Sequence, residues 1–216
     1  MKTIYKTLKI GVLGILVFLT SCSYEDPITS KVTNYAIITV NGETTLVLTE
    51  GDTYTEEGAV ATEAGVEIPL TTTGSVDTST PGVYNVYYSA VNVDGFSAQA
   101  RRIVIVLSAA PSAIDLEGTF FRNGNPNVVT RLGDRMYRCD NAGGLAVASP
   151  ADEALLINAV FYNIDDAHVY IPYQEDTSAS GIDVESNIGT IVDENNFNWV
   201  LTASATYGTA VRNFSR

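Results

Sequence analysis

The sequence predicts an all-β chain, a β-sandwich followed by a second small antiparallel barrel or sandwich. Three observations point there. From Asn34 onward apolar and polar residues alternate in short runs. In the clearest, over 83–92, Tyr84, Val86, Tyr88 and Ala90 share one face and Asn85, Tyr87 and Ser89 the other. Turn formers break these runs, as at Ser79-Thr80-Pro81-Gly82 and Asn92-Val93-Asp94-Gly95, where a fixed-φ proline, a permissive glycine and an Asp-Gly pair suit tight turns. Finally, no window of about eleven residues between 34 and 107 carries helical periodicity, and the remainder keeps the same strand-and-turn pattern.

At the N-terminus, Lys2, Lys6 and Lys9 precede an apolar run over 10–19 and the small polar pair Thr20-Ser21. That is the layout of a secretory signal, and the run is too short to cross a hydrocarbon core of roughly 30 Å. The tetrad Leu19-Thr20-Ser21-Cys22 resembles the bacterial lipobox. The resemblance implies cleavage after residue 21, with Cys22 becoming the first mature residue and carrying a thioether-linked diacylglycerol and an N-acyl chain. One acyl chain binds membranes only marginally, at about 0.8 kcal/mol per buried CH₂, so two or three make a stable anchor. The acidic stretch Ser23-Tyr24-Glu25-Asp26 resembles the export tag of Bacteroidetes-type lipoproteins that reach the outer face of the outer membrane. Residues 22–33 then read as lipidated cysteine and tether.

The precursor carries a net charge of −13; three of its 12 basic residues and none of its 25 acidic ones leave with the signal, so the mature chain stands at −16. Such a surface repels phosphate backbones and excludes nucleic acid as a partner. With Cys22 committed to lipid, Cys139 has no intramolecular partner, which rules out a disulfide framework and a cysteine-rich metal site. It reads as a half-buried structural thiol. The mature length suits two domains, and the small-residue stretch over 108–113, containing Pro111, marks the boundary between blocks 34–107 and 114–216.

Strands of the first block are read over 35–40, 45–49, 59–61, 66–70, 83–92 and 97–107. The series Gly51, Tyr54, Gly58, Ala61, Gly65, then Gly82, Tyr84, Val86, Tyr88, Ala90, Asn92, Gly95, then Arg102, Val104, Val106, resembles the immunoglobulin-like modules of bacterial surface proteins. The resemblance implies an Ig-like β-sandwich acting as a spacer or platform, with Tyr84 and Tyr88 in its core. Asn92 stands where relatives often carry aspartate, which weakens any calcium-ligand role. The pair Glu56-Glu57 reads as a solvated loop rather than as calcium ligands beside Asp94.

In the second block strands are read over 116–122, 127–132, 135–140, 154–163, 168–173, 189–193 and 197–206. Its position after the Ig-like block resembles the uncharacterised β-rich C-terminal domains of two-domain Bacteroidetes surface lipoproteins, several of which are encoded beside glycan-uptake machinery. No catalytic signature is present: His168 stands alone, and Glu175-Asp176, Asp183, Glu185 and Asp193-Glu194 lie in polar stretches that read as surface charge. Sugar recognition needs aromatic faces beside hydrogen-bonding groups. Tyr162, Tyr170, Tyr173, Trp199 and Tyr207 are the aromatics available. Trp199 shares parity with Phe197 and Leu201 and reads as core, whereas Tyr170 lies opposite the apolar parity and is expected on the surface, with Tyr173 and Asn163 beside it as ligand contacts. The expectation is a non-catalytic, outward-facing outer-membrane lipoprotein needing no cofactor or metal. Its expected partners are a polysaccharide or oligosaccharide and an outer-membrane transporter complex; the alternative is a structural or adhesion-type surface protein without a small ligand.

Overall fold

The computed structural model describes residues 32–202 and 207–216. The signal, Cys22 and the acidic Glu25-Asp26 lie outside the described residues. The chain is all-β, as expected, and residues 34–216 form one compact unit.

The first block is a sandwich of two sheets. One has the order β1 (Ile37–Val40), β3 (Ala59–Glu63), β4 (Val66–Ile68); the other runs β2 (Thr45–Thr49), β7 (Ser97–Leu107), β6 (Gly82–Val91), β5 (Leu70–Thr73). Among the described strands only the β2–β7 pair is parallel. The register of β6 on β7 sets Tyr84 opposite Val104, Val86 opposite Arg102 and Ala90 opposite Ala98. This even-numbered face looks into the sandwich, where Ala90 packs with Ala36 and Ala61. Tyr88 is fully buried, as the alternation predicts, and Tyr84 is half-buried.

Arg102 also lies on that inward face and is completely buried. A buried guanidinium is tolerated only when paired and hydrogen-bonded. Here it donates to the carbonyls of Asn41 (2.6 Å) and Glu43 (3.0 Å) and to the Tyr88 hydroxyl (3.3 Å), and it pairs with Glu56 at 3.2 Å. Glu56 is therefore not the solvated loop residue the sequence suggests. Its carboxylate accepts from the Tyr54 and Tyr88 hydroxyls and from the Gly58 amide. Glu57 is exposed, as expected. Asn92 likewise holds structure together, since its Nδ2 donates to the Asn34 carbonyl (2.7 Å) while its Oδ1 accepts from the Phe96 amide (2.7 Å). A carboxylate could not make the first of these bonds.

The second block resolves the choice between barrel and sandwich. Strands β8 (Gly118–Arg122), β9 (Asn125–Gly133), β10 (Met136–Cys139), β11 (Ala159–Asp165), β12 (His168–Tyr170), β13 (Gly189–Asp193), β14 (Asn196–Val200) and β15 (Val211–Ser215) pair antiparallel in sequence order, and β15 returns to β8. An eight-stranded barrel has an interior just wide enough for side chains to fill. Phe120, Tyr137, Phe161, Phe197, Trp199 and Phe214 fill it, with ring centroids 4.8–6.2 Å apart. Trp199 is fully buried, and its indole N–H donates to the Ala142 carbonyl at 2.9 Å. Cys139 is entirely inside, beyond the half-burial expected, and burial pushes its thiol up to about 12.

Several segments differ from the sequence reading: the one strand expected over 66–70 is divided between β4 and β5 of opposite sheets, and the strand expected over 168–173 ends at Tyr170. The strand expected over 154–163 begins only at Ala159, because Pro150 opens a short helix, α1 (Pro150–Glu153), capped by Ser149. The closing strand β15 has no counterpart among the expected strands. Its inward residues are Arg212 and Phe214, so an arginine interrupts the apolar parity. Arg212 lies over the Tyr207 ring and donates to the carbonyls of Ala210 and Gly208.

The fold favours the Glu56 anion, since the donated hydrogen bonds and Arg102 outweigh burial and hold its pKa below the ordinary 4.5. The stabilisation is complete above that ordinary value and lost as pH falls through the lower folded value. Glu56→Gln should therefore lower the melting temperature at neutral pH, and the gap to wild type should narrow as the pH drops below 4.5. A gap constant from pH 7 down to about 3 would show that the anion is not what stabilises the cluster.

Candidate functional site

β7 has a second face. Ile103 and Ile105 turn away from the sandwich and form one buried cluster with Ile164 and Tyr170 of the barrel, flanked by Val83, Leu107 and Tyr162. Around this cluster polar groups close the seam. The Tyr170 hydroxyl donates to Glu185 Oε1 at 2.5 Å, and Arg101 pairs with the other oxygen of the same carboxylate. Burial, reinforced by that hydrogen bond, raises the Tyr170 pKa strongly. The 108–113 segment is fastened as well. Ser108 N donates to the Ile164 carbonyl (2.8 Å), and Arg135 bridges Ala110 O (2.8 Å), Asn163 Oδ1 (3.0 Å) and Asp166 (3.2 Å).

These contacts correct the expected ligand residues. Tyr170 is 3% exposed and serves the seam instead of the surface. Parity fails here because the face that would meet solvent in an isolated barrel is covered by β7. Asn163 is fully buried, with its Nδ2 on Ser112 Oγ and its Oδ1 taken by Arg135. Glu185, expected as surface charge, is the acceptor that joins the two blocks. Tyr207 is half-buried against the barrel core with its hydroxyl on the Leu155 carbonyl. His168 is exposed beside Asp165 at 2.9 Å.

Tyr173 alone of the expected contacts is accessible, at 43%. It lies in the loop after β12, which is not slack: the backbones of Gln174 and Val184 each donate N–H to the other's carbonyl (2.9 Å), and the Gln174 side chain accepts from Val160 N (2.9 Å) and donates to Val160 O (2.8 Å), imitating one rung of a sheet. The Tyr173 hydroxyl donates to Asp183 at 2.9 Å, with Glu175 at 3.4 Å. The Asp183 hydrogen bond pushes the phenol up to about 12, and because that bond engages the hydroxyl, the ring is the part of Tyr173 left open.

The ring borders a groove of about 240 Å³ to which both blocks contribute: Thr44, Thr45, Arg101 and Ile103 from the sandwich, Tyr173 and Glu175 from the barrel loop. Glu175 also lines a wider, open depression of about 520 Å³ with Arg138, Asn158, Val160, Gln174, Asp176 and Thr177. Glu175 is common to both. An aromatic face, two threonine hydroxyls, a guanidinium and a carboxylate are the group types that hold a polyhydroxylated ring. Among the described residues no group of three or more His, Cys, Asp or Glu is placed to hold a metal ion, and no helix is long and apolar enough to cross a membrane.

Residues 38–106 match the bacterial surface protein Ig-like domain. The resemblance read from the glycine and tyrosine spacing is thereby borne out for the sandwich, which is this Ig-like domain. Two solved structures are similar to the chain. The lipoprotein BT2262 from Bacteroides thetaiotaomicron is 20% identical with a TM-score of 0.36, the match covering 83% of this chain and 98% of that one. The M60 catalytic domain with the CBM51-1 and CBM51-2 domains of Clostridium perfringens ZmpB is 12% identical with a TM-score of 0.33, covering 86% of this chain and 21% of that one. Comparison with the curated proteins finds no match.

Because the seam buries Tyr170 nearly as fully as the barrel buries Trp199, truncating either should cost on the order of 3–5 kcal/mol. Tyr170→Ala should shift the urea midpoint about as far as Trp199→Ala. An unchanged midpoint for Tyr170→Ala would mean that the Ig-like domain and the barrel are not closed on one another in solution.

Proposed function

We propose that this protein is a lipid-anchored, outward-facing outer-membrane lipoprotein that captures glycans, without catalysis, for a polysaccharide-uptake system. The observation that carries the binding reading is Tyr173, an exposed ring on a pinned loop at the mouth of a groove built jointly by the Ig-like domain and the barrel. Support for the anchor comes from Leu19-Thr20-Ser21-Cys22, and support for the surface location from the Ig-like match over 38–106.

Chemistry narrows the ligand. A chain at −16 repels polyanions, so neutral sugars are favoured over sulfated or uronic ones. Stacking on Tyr173 supplies apolar contact with the C–H face of a pyranose, and Thr44, Thr45, Arg101 and Glu175 line the groove as its polar partners. The open depression beyond Glu175 leaves room for a chain to continue past one ring. The alternative, a structural or adhesion-type protein, draws on the closed seam, which makes the Ig-like domain a stiff stalk for the barrel.

Affinity electrophoresis of the acyl-free chain through plant, host and microbial polysaccharides separates the two. Retardation by a neutral glycan is expected, and Tyr173→Ala should abolish it while leaving stability within about 0.5 kcal/mol of wild type, as an exposed site allows. No retardation by any polysaccharide would leave the structural role in its place, and retardation indifferent to Tyr173→Ala would remove the groove beside Tyr173 as the binding site. For the anchor, Cys22→Ala should release the protein from the membrane fraction after a salt wash, and a variant that stays bound would refute lipidation at that residue.

A further inference from the structure

We propose that the far end of the Ig-like domain, the apex carrying Tyr35, Val66, Val93 and Phe96, rests in the headgroup region of the membrane that holds the lipid anchor. The inference builds on the lipidation of Cys22 and adds a second, protein-borne contact with the bilayer.

Four observations carry it. Val93 is 81% exposed, Val66 68%, Tyr35 64% and Phe96 49%, and what marks them is grouping, since apolar residues exposed singly are ordinary whereas a contiguous patch is not. They sit together. The Tyr35 and Phe96 rings meet edge to face at 5.5 Å, Asn92 ties the Asn34 carbonyl to the same hairpin, and the Val93 amide donates to Glu63, the last residue of β3 and the register partner of Val66. They are also at the place where the chain must leave for its anchor. Twelve residues separate Cys22 from Asn34, counting the cysteine, a number that can span at most about 40 Å. Lastly, the apex is remote from the barrel. Seven positions along β7 part Phe96 from Ile103 at the seam, about 24 Å at the rise of a strand.

A tyrosine, a phenylalanine and two valines at the end of a short leash are what an interfacial contact needs, since amphipathic and apolar side chains settle at the headgroup boundary. Glu63 lies beside Val93, and Asp94 follows it in the turn. The contact is therefore hydrophobic in origin and suited to zwitterionic lipid, weakening as anionic lipid is added.

The test uses the full acylated protein in phosphatidylcholine vesicles. Val93→Cys, at an exposed turn position, is labelled with an environment-sensitive fluorophore; Cys22 is blocked by its lipid and Cys139 is buried. Brominated lipid should quench the Val93→Cys probe about twofold or more, as insertion of 5–10 Å into the interface requires, and should leave a Thr130→Cys probe on the barrel's outer face unquenched. Quenching should fall when phosphatidylglycerol is added and persist at high salt in pure phosphatidylcholine. Mass spectrometry of the same sample reports the acyl chains. Acyl chains present with an unquenched probe at position 93 overturn the apex contact while the anchor stands; no acyl chains overturn both. A Val93→Cys protein that melts below wild type is replaced by Phe96→Trp, read against the buried Trp199, with the same expected and contrary outcomes.

Discussion

Strand β7 must be covered twice, and much of the molecule follows from that requirement. Ile103, Val104, Ile105 and Val106 are consecutive and all are essentially unexposed. Alternation sends successive side chains to opposite faces, so one sheet of the sandwich cannot bury both sets. The β1–β3–β4 sheet covers the even residues, and the barrel, through Ile164 and Tyr170, covers the odd ones. Without the barrel, Ile103 and Ile105 would form an apolar stripe in water. With it, the two blocks become one compact unit.

Charge placement obeys the same geometry. Arg101 and Arg102 are neighbours on opposite faces of β7, and each meets a carboxylate appropriate to its side: Glu185 of the barrel for Arg101, Glu56 of the sandwich for Arg102. The arginine pair thus fixes register in both directions, because a one-residue slip would bring each cation to the wrong face. Arg102 additionally satisfies the carbonyls of Asn41 and Glu43, which explains why a residue that looks misplaced in a strand core is retained there.

The fold is largely legible in the sequence because so many of its pairings are local. The β3–β4 and β6–β7 pairs and most of the barrel are neighbours along the chain, so alternation and turn residues suffice; β6 and β7 fall within a residue of where the pattern places them. Trp199 is core, as its parity with Phe197 and Leu201 indicates. What escapes is information carried by tertiary pairing. β15 is hidden because Arg212 occupies an inward position, and Tyr170 is misplaced because its outward face meets another domain. The clue to the second error is present in the unbroken apolar run of β7, since a half-buried strand would alternate and this one does not. Tyr173 cannot be placed by parity at all, because β12 ends at Tyr170 and the following loop has no period.

The candidate groove exists only because the seam is closed. Thr44, Thr45, Arg101 and Ile103 reach it from one block and Tyr173 and Glu175 from the other, so a ligand spanning the groove binds the closed arrangement alone. By linkage, whatever such a ligand gains in affinity it adds to the stability of the union between the blocks. The relation runs in reverse as well: Tyr170 and Glu185, although neither lines the groove, hold its two walls at a fixed separation. A site assembled across a rigid seam loses less conformational entropy on binding than one assembled by a hinge closing. In a chain whose net charge disfavours anionic partners, preorganisation of a few neutral and stacking contacts is a route to useful affinity for an uncharged one.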